Sequence, residues 1–591
     1  NGKLDRQALP APDRSRRGKD GEHLEARTEA EETLAGIWRE VLGLGHVGIT
    51  DNFFELGGDS ILCLQIVSRV HRKGMRLTPR QVFENPTIAG LLEVMDGAPP
   101  LEAEQGLVTG PVPLTPVQHW FFDQELAAPH HFNQAFLLEP AAPLDAGLLR
   151  RAVERLTVHH DALRMRFHRD AAGWHQVNAG PGGPVPVVHL DLAGLGPVLV
   201  PRAVEAVAEQ LQKSLDLTRG PLLRVALLTS GPAGPARLLI LVHHLVVDGI
   251  SWRILLEDLQ EVYSGLLRGE EPSLPAKSTS FRSWAHRLRD YAAREDVVQA
   301  LDVWTSPERV QIRPLPADHP EAEDLQGAAH TVVASLDPEE TQALLQEVPR
   351  AYQTQINDVL LTALALALAA WTGEPRFLVD LEGHGREEIF EGIDLSRTVG
   401  WFTTMTPVVL DVAGVTGDPG AALKAVKEQL RRVPARGIGY GALRCLSPSP
   451  EIRERLRSLP RPELVFNYMG QLDSTVAAHA SLFRPAREGG GPLVDEQGAR
   501  AHRLQVGGQV MHKCLQLSLT CGGKRYDTAT VDDLMARFVA ALRTLIDHCR
   551  SDAAGGYTPS DFPDVDLSQE ELDGLLEEIE EIDALGGGNA A

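Results

Sequence analysis

The stretch "LVHHLVVDGISWRIL" (residues 241–255) sets two adjacent histidines at the end of an apolar run, ahead of an Asp-Gly turn and a helix-like segment. The run "ARLLILVHH" (236–244) reads as a strand, and successive strand side chains leave opposite faces, so His243 and His244 point apart. Neighbours that face apart do not readily share a metal ion, and neither an HExxH pattern nor a cysteine cluster lies nearby, which argues against zinc. One histidine then faces structure and the other can face a channel. Asp248 precedes a helix expected from Ser251 and reads as its N-cap, or as the ion-pair partner of a distant arginine, rather than as a catalytic acid.

Outward from this stretch, strand-like runs ("QAFLLEP", "RFLVDLEGH", "TPVVLDV") alternate with helical patterns at 141–156, 200–214, 251–267 and 356–370. This alternation predicts a large α/β unit in two lobes, 111–310 and 311–552, divided near the Pro/Asp-rich segment 313–325. Upstream, Leu34, Ile37, Trp38, Val41 and Leu42 share one helical face, a second amphipathic run covers Ile61 to Val70, and a third spans Pro86–Met95 with proline in its first turn. These define a helical bundle over 21–97, with a linker at 98–110 and a polar, Pro-punctuated leader over 1–20. The whole is an α+β multi-domain chain: a small four-helix bundle followed by a two-lobed α/β domain.

Bulk properties agree. The 591 residues suggest about four compact units at ~150 residues each. No run reaches the ~20 apolar residues that span a bilayer and the N-terminus is no signal peptide, so a soluble, cytoplasmic protein is expected. Five cysteines without CxxC spacing argue against a disulfide framework. A net charge of −24 disfavours nucleic acid as a partner. Twelve acidic residues and no Lys or Arg follow Ser551, so half of the excess lies in the last 41 residues, and 553–591 reads as an acidic tail.

In "DNFFELGGDSILCLQIV" (51–67), Ser60 opens a helix, where unpaired N–H groups and the positive dipole end suit a phosphate; an ordinary N-cap serine has the same look. The full motif resembles the peptidyl carrier domains of nonribosomal peptide synthetases, which implies that Ser60 bears a covalent 4′-phosphopantetheine arm. Likewise "NGKLDRQALP" (1–10) resembles the last motif of the adenylation domain that precedes such carriers, and makes Lys3 a remnant of that domain.

The HHxxxDG pattern at 243–249 resembles the motif shared by condensation and epimerization domains, relatives of chloramphenicol acetyltransferase, in which the second histidine, here His244, faces the substrate. Inverting an α-carbon needs proton transfer on two faces, hence a second group besides the histidine. "FLVDLEGHGREEIF" (377–390) offers Glu382 at a strand end. Alone, Glu382 reads as the salt-bridge partner of Arg386; the segment as a whole resembles the EGHGRE motif of epimerization domains, which makes Glu382 the second catalytic group, with His384 unassigned. "PLTPVQHWFF" (113–122), "RTVGWFTTMTPVVL" (397–410), "VPARGIGYGALR" (433–444) and "VFNYMGQLD" (465–473) resemble further motifs of the same domains, with Thr406 where tyrosine is common. Within them Asn467 and Tyr468 are expected to donate to the thioester oxygen or to orient the acid/base pair, and Ser251 and Trp401 to line the pocket. Asp59 ahead of Ser60 resembles the carriers that accompany epimerization.

The resemblance implies an epimerase acting on an L-aminoacyl or peptidyl thioester, without a metal. A condensation domain forming a peptide bond is the alternative, and a non-catalytic docking relative a third. Expected partners are the upstream adenylation domain, a phosphopantetheinyl transferase and the condensation domain of the next module or subunit. In the tail, Leu572, Leu575, Leu576, Ile579 and Ile582 form an apolar stripe on an acidic helix, which reads as a donor docking segment or a cut linker.

Overall fold

The computed structural model describes residues 24–586 except 96–102, 197, 232–233, 472–481, 552–553, 563 and 566. The expected adenylation remnant, Lys3 included, lies outside the described residues, as do the side chains of Ile579 and Ile582.

Four helices build the N-terminal bundle: α1 (Glu29–Leu42), α2 (Ser60–Arg72), α3 (Pro79–Glu84) and α4 (Ile88–Val94). Helix α1 begins where Thr28 and Glu31 form a reciprocal capping box and ends at Gly43 in the left-handed region. It buries Leu34, Ile37, Trp38, Val41 and Leu42, the face expected from their spacing. One detail differs: the proline in a first turn is Pro79 of α3, whereas Pro86 lies ahead of Thr87, the cap of α4. The reason is local, since the Thr87 hydroxyl accepts from Gly90 N and sets the cap one residue past the proline.

The large domain holds three sheets. Strands β1 (Gly110–Val112), β3 (Met165–Asp170) and β4 (Gly173–Asn178) make a small antiparallel sheet in the order β1-β4-β3. The N-terminal lobe centres on β2 (Asn133–Pro140), β5 (Val187–Asp191), β6 (Leu223–Thr229) and β7 (Ala236–His243). Around it pack α5 (Pro116–Phe122), α6 (Ala146–His159), α7 (Val200–Gln212) and α8 (Gly249–Leu267). The C-terminal lobe carries β8 (Ala329–Ser335), β9 (Arg376–Gly383), β10 (Thr404–Asp411), β11 (Leu464–Gln471), β13 (Leu504–Met511) and β14 (Cys514–Gly522), in the order β10-β9-β11-β13-β14-β8. Its core is closed by the buried helix Ile356–Thr372 and the helix Thr528–Cys549.

The expected boundary between the lobes is not clean. Strand β12 (Phe483–Pro485), well inside the sequence of the second lobe, pairs with β2 and completes the first lobe's sheet in the order β12-β2-β7-β6-β5. Leu493 O continues the contact by accepting from Asn133 N at 2.7 Å. Covering the open edge of β2 satisfies backbone groups that would otherwise face solvent. The first lobe's core likewise takes in Val399, Trp401, Phe402 and Ile438.

Among the described residues, no single helix is long and apolar enough to cross a membrane. The tail forms the expected helix, Gln569–Gly586. Its start is already engaged by the chain itself: Leu572 is buried, Asp573 lies 3.7 Å from Lys424, and Asp561 just upstream pairs with buried Lys427 at 2.6 Å. Among the described side chains of the stripe, Leu575 is exposed.

Candidate functional site at the lobe interface

Strand β7 delivers His243 into the core, where its Nε2–H donates to the Pro129 carbonyl at 2.8 Å and its Nδ1 accepts from Leu245 N. The next residue leaves the strand for a one-turn 3₁₀ helix, His244–Val246. His244 Nδ1–H donates to the Val247 carbonyl at 2.8 Å, so Nε2 keeps its lone pair. Gln134 turns its amide N–H to that nitrogen at 3.0 Å, with its orientation set because Trp252 Nε1 donates to its oxygen at 2.7 Å. The imidazole lies between Trp401, with ring centres 4.3 Å apart, and Phe132 at 5.7 Å. Burial holds His244 below the ordinary histidine range, a neutral base at pH 7. His243 is thus turned into the core, and His244 lies against the ring of Trp401 and the amide of Gln134.

Asp248 does both things anticipated for it. It caps α8 by accepting from Ser251 N at 2.7 Å, and it takes Arg386 on both carboxylate oxygens at 2.9 and 3.0 Å. Arg386 is therefore not the partner of Glu382. Its guanidinium is fully enclosed, bonded to the Leu395 and Thr398 carbonyls and set over the Phe402 ring at 4.1 Å. Asp248 lies four residues after His244 and Arg386 four residues after Glu382, so this one buried pair ties the two motifs together. Gly385 makes the approach possible: its φ is +68°, and a Cβ there would lie 1.7 Å from Phe402 O. Ser251 does not line the pocket; it is fully buried, with its hydroxyl bridging Gly400 and Arg386 beneath Trp401.

Across the cleft, β9 alternates cleanly. Val379 and Leu381 face the second lobe's core, so Asp380 and Glu382 face the other side. Met405 pairs with Glu382 across β10, and Asn467 of β11 hydrogen-bonds to its carboxyl. Burial pushes Glu382 up to about 7, against the opposing pull of His502 and the Asn467 amide. His502 is held by Asp380 at 2.8 Å and stacks on Trp120, which meets Trp401 edge-on at 6.3 Å. Tyr468 parts company with Asn467. Being the next residue on the strand, it leaves the opposite face, and its ring packs on the second lobe's core. Its buried hydroxyl has no partner, and burial with Asp59 nearby raises it well above the usual tyrosine range. Gln134 and His502 escaped sequence reasoning; the sequence leaves the arginine that pairs with Asp248 unidentified, its signal being the place of Arg386 in the EGHGRE segment. Elsewhere His159, His160 and Asp258 lie together, with the Asp258 carboxylate shared between His160 and Arg397.

The helical bundle is seated at the mouth of this cleft. His71 meets Asp394 at 3.2 Å, Arg72 meets Glu257 at 3.0 Å, Arg80 N donates to Glu388 at 2.6 Å, and Gln471 donates to the Gly57 carbonyl at 2.8 Å. Phe83 packs under Arg436 at 4.3 Å. Gly470 of the FNYMG segment also abuts the bundle, where a Cβ would lie 3.0 Å from Asp59 Oδ2 and 3.2 Å from Ile61 Cδ1. Ser60, between those two residues at the start of α2, is therefore brought to the end of β11, and Asn467 and Glu382 lie further along the same wall. Asp59 Oδ2 is buried without a partner and the carboxyl is pushed up to about 6 by burial. A partly exposed serine on a helix N-terminus, flanked by the unpartnered Asp59 and Tyr468 oxygens, fits a polar phosphopantetheine arm.

Comparison with known proteins agrees with this arrangement. The phosphopantetheine attachment site family matches residues 32–95 and the condensation domain family matches residues 108–567. One of the linear gramicidin synthase polypeptides of Brevibacillus parabrevis is 47% identical over 98% of the chain, and Chondramide synthase cmdD of Chondromyces crocatus 48% identical over 98%. The chain spans only 8% and 15% of those two relatives. Among solved structures, the epimerization domain from the third module of tyrocidine synthetase B aligns with a TM-score of 0.70 at 36% identity, covering 76% of this chain and 98% of that one. The X-domain from teicoplanin biosynthesis, at 21% identity and a TM-score of 0.58, shares the fold. With a phosphopantetheine carrier domain seated on a condensation-type domain, the chain belongs to the condensation-domain family of nonribosomal peptide synthetases.

Proposed function

We propose that the chain is an epimerase that inverts the α-carbon of an L-aminoacyl or peptidyl thioester carried on Ser60. The observation that carries this reading is a pair of buried titratable groups, one from each lobe, joined through the rings of Trp401, Trp120 and His502: His244, held below the ordinary histidine range, and Glu382, raised to about 7. The arm supplies a covalent thioester tether, and the thioester carbonyl acidifies the neighbouring α-hydrogen. His244 Nε2, aimed by the Val247 carbonyl and steadied by Gln134, accepts the proton on one face. The Glu382 carboxyl donates on the other, and Asn467 orients it. Afterwards His244 is cationic and Glu382 anionic, the starting state for the reverse direction, so the product approaches a mixture of the two configurations. Selection of the D form falls to the condensation domain of the next module, and loading to the adenylation domain upstream.

The test is exchange of the α-hydrogen with deuterated water when Ser60 bears an L-aminoacyl-phosphopantetheine. Exchange is expected in wild type and is lost in His244→Ala and Glu382→Ala. No exchange in wild type, with peptide formed instead when an amine-loaded carrier is offered, establishes the condensation reading. Undiminished exchange in both variants removes these residues from the chemistry.

A further inference from the structure

A cavity of about 140 Å³ opens beside the catalytic wall, between α5 of the first lobe and the helix Ile438–Leu446 of the second. Neither His244 nor Glu382 is among its walls, yet it adjoins Glu382 on two sides. Asp380, two residues back on the same face of β9, lines it, as does Met405, the cross-strand partner of Glu382. Trp120, which reaches Trp401 and through it His244, forms another wall. The remaining walls mix apolar side chains, among them Phe402, Ile438, Leu456 and Leu459, with Asp123, Arg444 and Arg457 on the far side, and the polar pair Asp380–His502 stands on the side of Glu382.

The position follows from the strand directions. Strands β9 and β11 run parallel, the carrier sits at the C-terminal end of β11 by Gly470, and Asp380 pairs with Val465 near its start. A tethered residue therefore arrives from the Gly470 end, places its α-carbon by Glu382, and meets the cavity beyond. We propose that this cavity is the side-chain pocket for the residue being inverted, and that it takes one bulky apolar or aromatic side chain. This rests on the epimerase reading. The volume supports a single ring: an apolar cavity of ~150 Å³ accepts benzene, and several peptide residues exceed it. Filling the pocket does two things for the chemistry. It buries apolar surface, and it fixes rotation about the tether so that the α-hydrogen faces one proton-transfer group.

The experiment compares α-hydrogen exchange on the full chain preloaded with L-alanyl- or L-phenylalanyl-phosphopantetheine at Ser60. Wild type is expected to exchange the phenylalanyl group about tenfold or more faster, the discrimination typical of an apolar pocket. Leu459→Trp, which fills the cavity, should remove that advantage, with its thermal melt matched to wild type as the check of folding. If Leu459→Trp disturbs both rates, Met405→Ala decides: enlarging the pocket should raise the rate for L-tryptophanyl relative to L-phenylalanyl. Equal alanyl and phenylalanyl rates in wild type, or rates that keep their ratio in both variants, overturn the pocket. Absence of exchange with every group in wild type overturns instead the epimerase reading on which it stands.

Discussion

Replacing Glu382 by glutamine should make the protein more stable, but only at neutral and alkaline pH. The carboxyl ordinarily titrates at 4.5, and burial in the cleft moves it to about 7. Between these values the folded chain holds a proton that the unfolded chain has released, so stability falls as pH rises from 4.5 to about 7 and is level beyond. At about 1.4 kcal/mol per pKa unit the full loss is ~3 kcal/mol, and solvent reaching the cleft reduces it to about 1–3 kcal/mol. Glutamine keeps the size and the acceptor for Asn467 while removing the ionisation. With an unfolding entropy of ~2 cal/mol/K per residue, a domain of this length gains about 1–3 °C in Tm at pH 8 and essentially nothing at pH 4.5. Matched thermal scans of Glu382→Gln and wild type at the two pH values measure the difference. A variant no more stable than wild type at pH 8, or equally stabilised at both, refutes the idea that the fold holds the Glu382 carboxylate at an energetic cost.

Two further outcomes follow from named contacts. Arg386→Met leaves the Asp248 carboxylate buried and unpaired, and should lower stability by about 3–5 kcal/mol; adding Asp248→Asn should recover part of that loss, read as a non-additive double-mutant cycle in denaturant midpoints. Gly470→Ala places a methyl group 3.0 Å from Asp59 Oδ2 in a backbone with φ +72°, at a strain of about 1–2 kcal/mol. Exchange of a thioester tethered to Ser60 should slow, while exchange of a freely diffusing aminoacyl thioester should not; equal slowing of both would show that Gly470 serves the cleft rather than the docking of the carrier.

The sequence by itself determined what is periodic or contiguous: the buried face of α1, the strand ending at His243, the strand carrying Glu382, and the serine at the start of α2. Strand alternation alone separated His243 from His244, because backbone geometry dictates it locally. The same rule, applied to Asn467 and Tyr468, already sends them to opposite faces, where motif reasoning had kept them together. What only the tertiary structure decided is everything that joins distant segments. Arg386 chose Asp248 over Glu382, β12 crossed to the first lobe's sheet, Gln134 came to His244, and His502 and the cavity came to lie beside the strand of Glu382. These choices depend on which surfaces become buried together, and a charge or an open strand edge finds its partner only once water has been removed from around it.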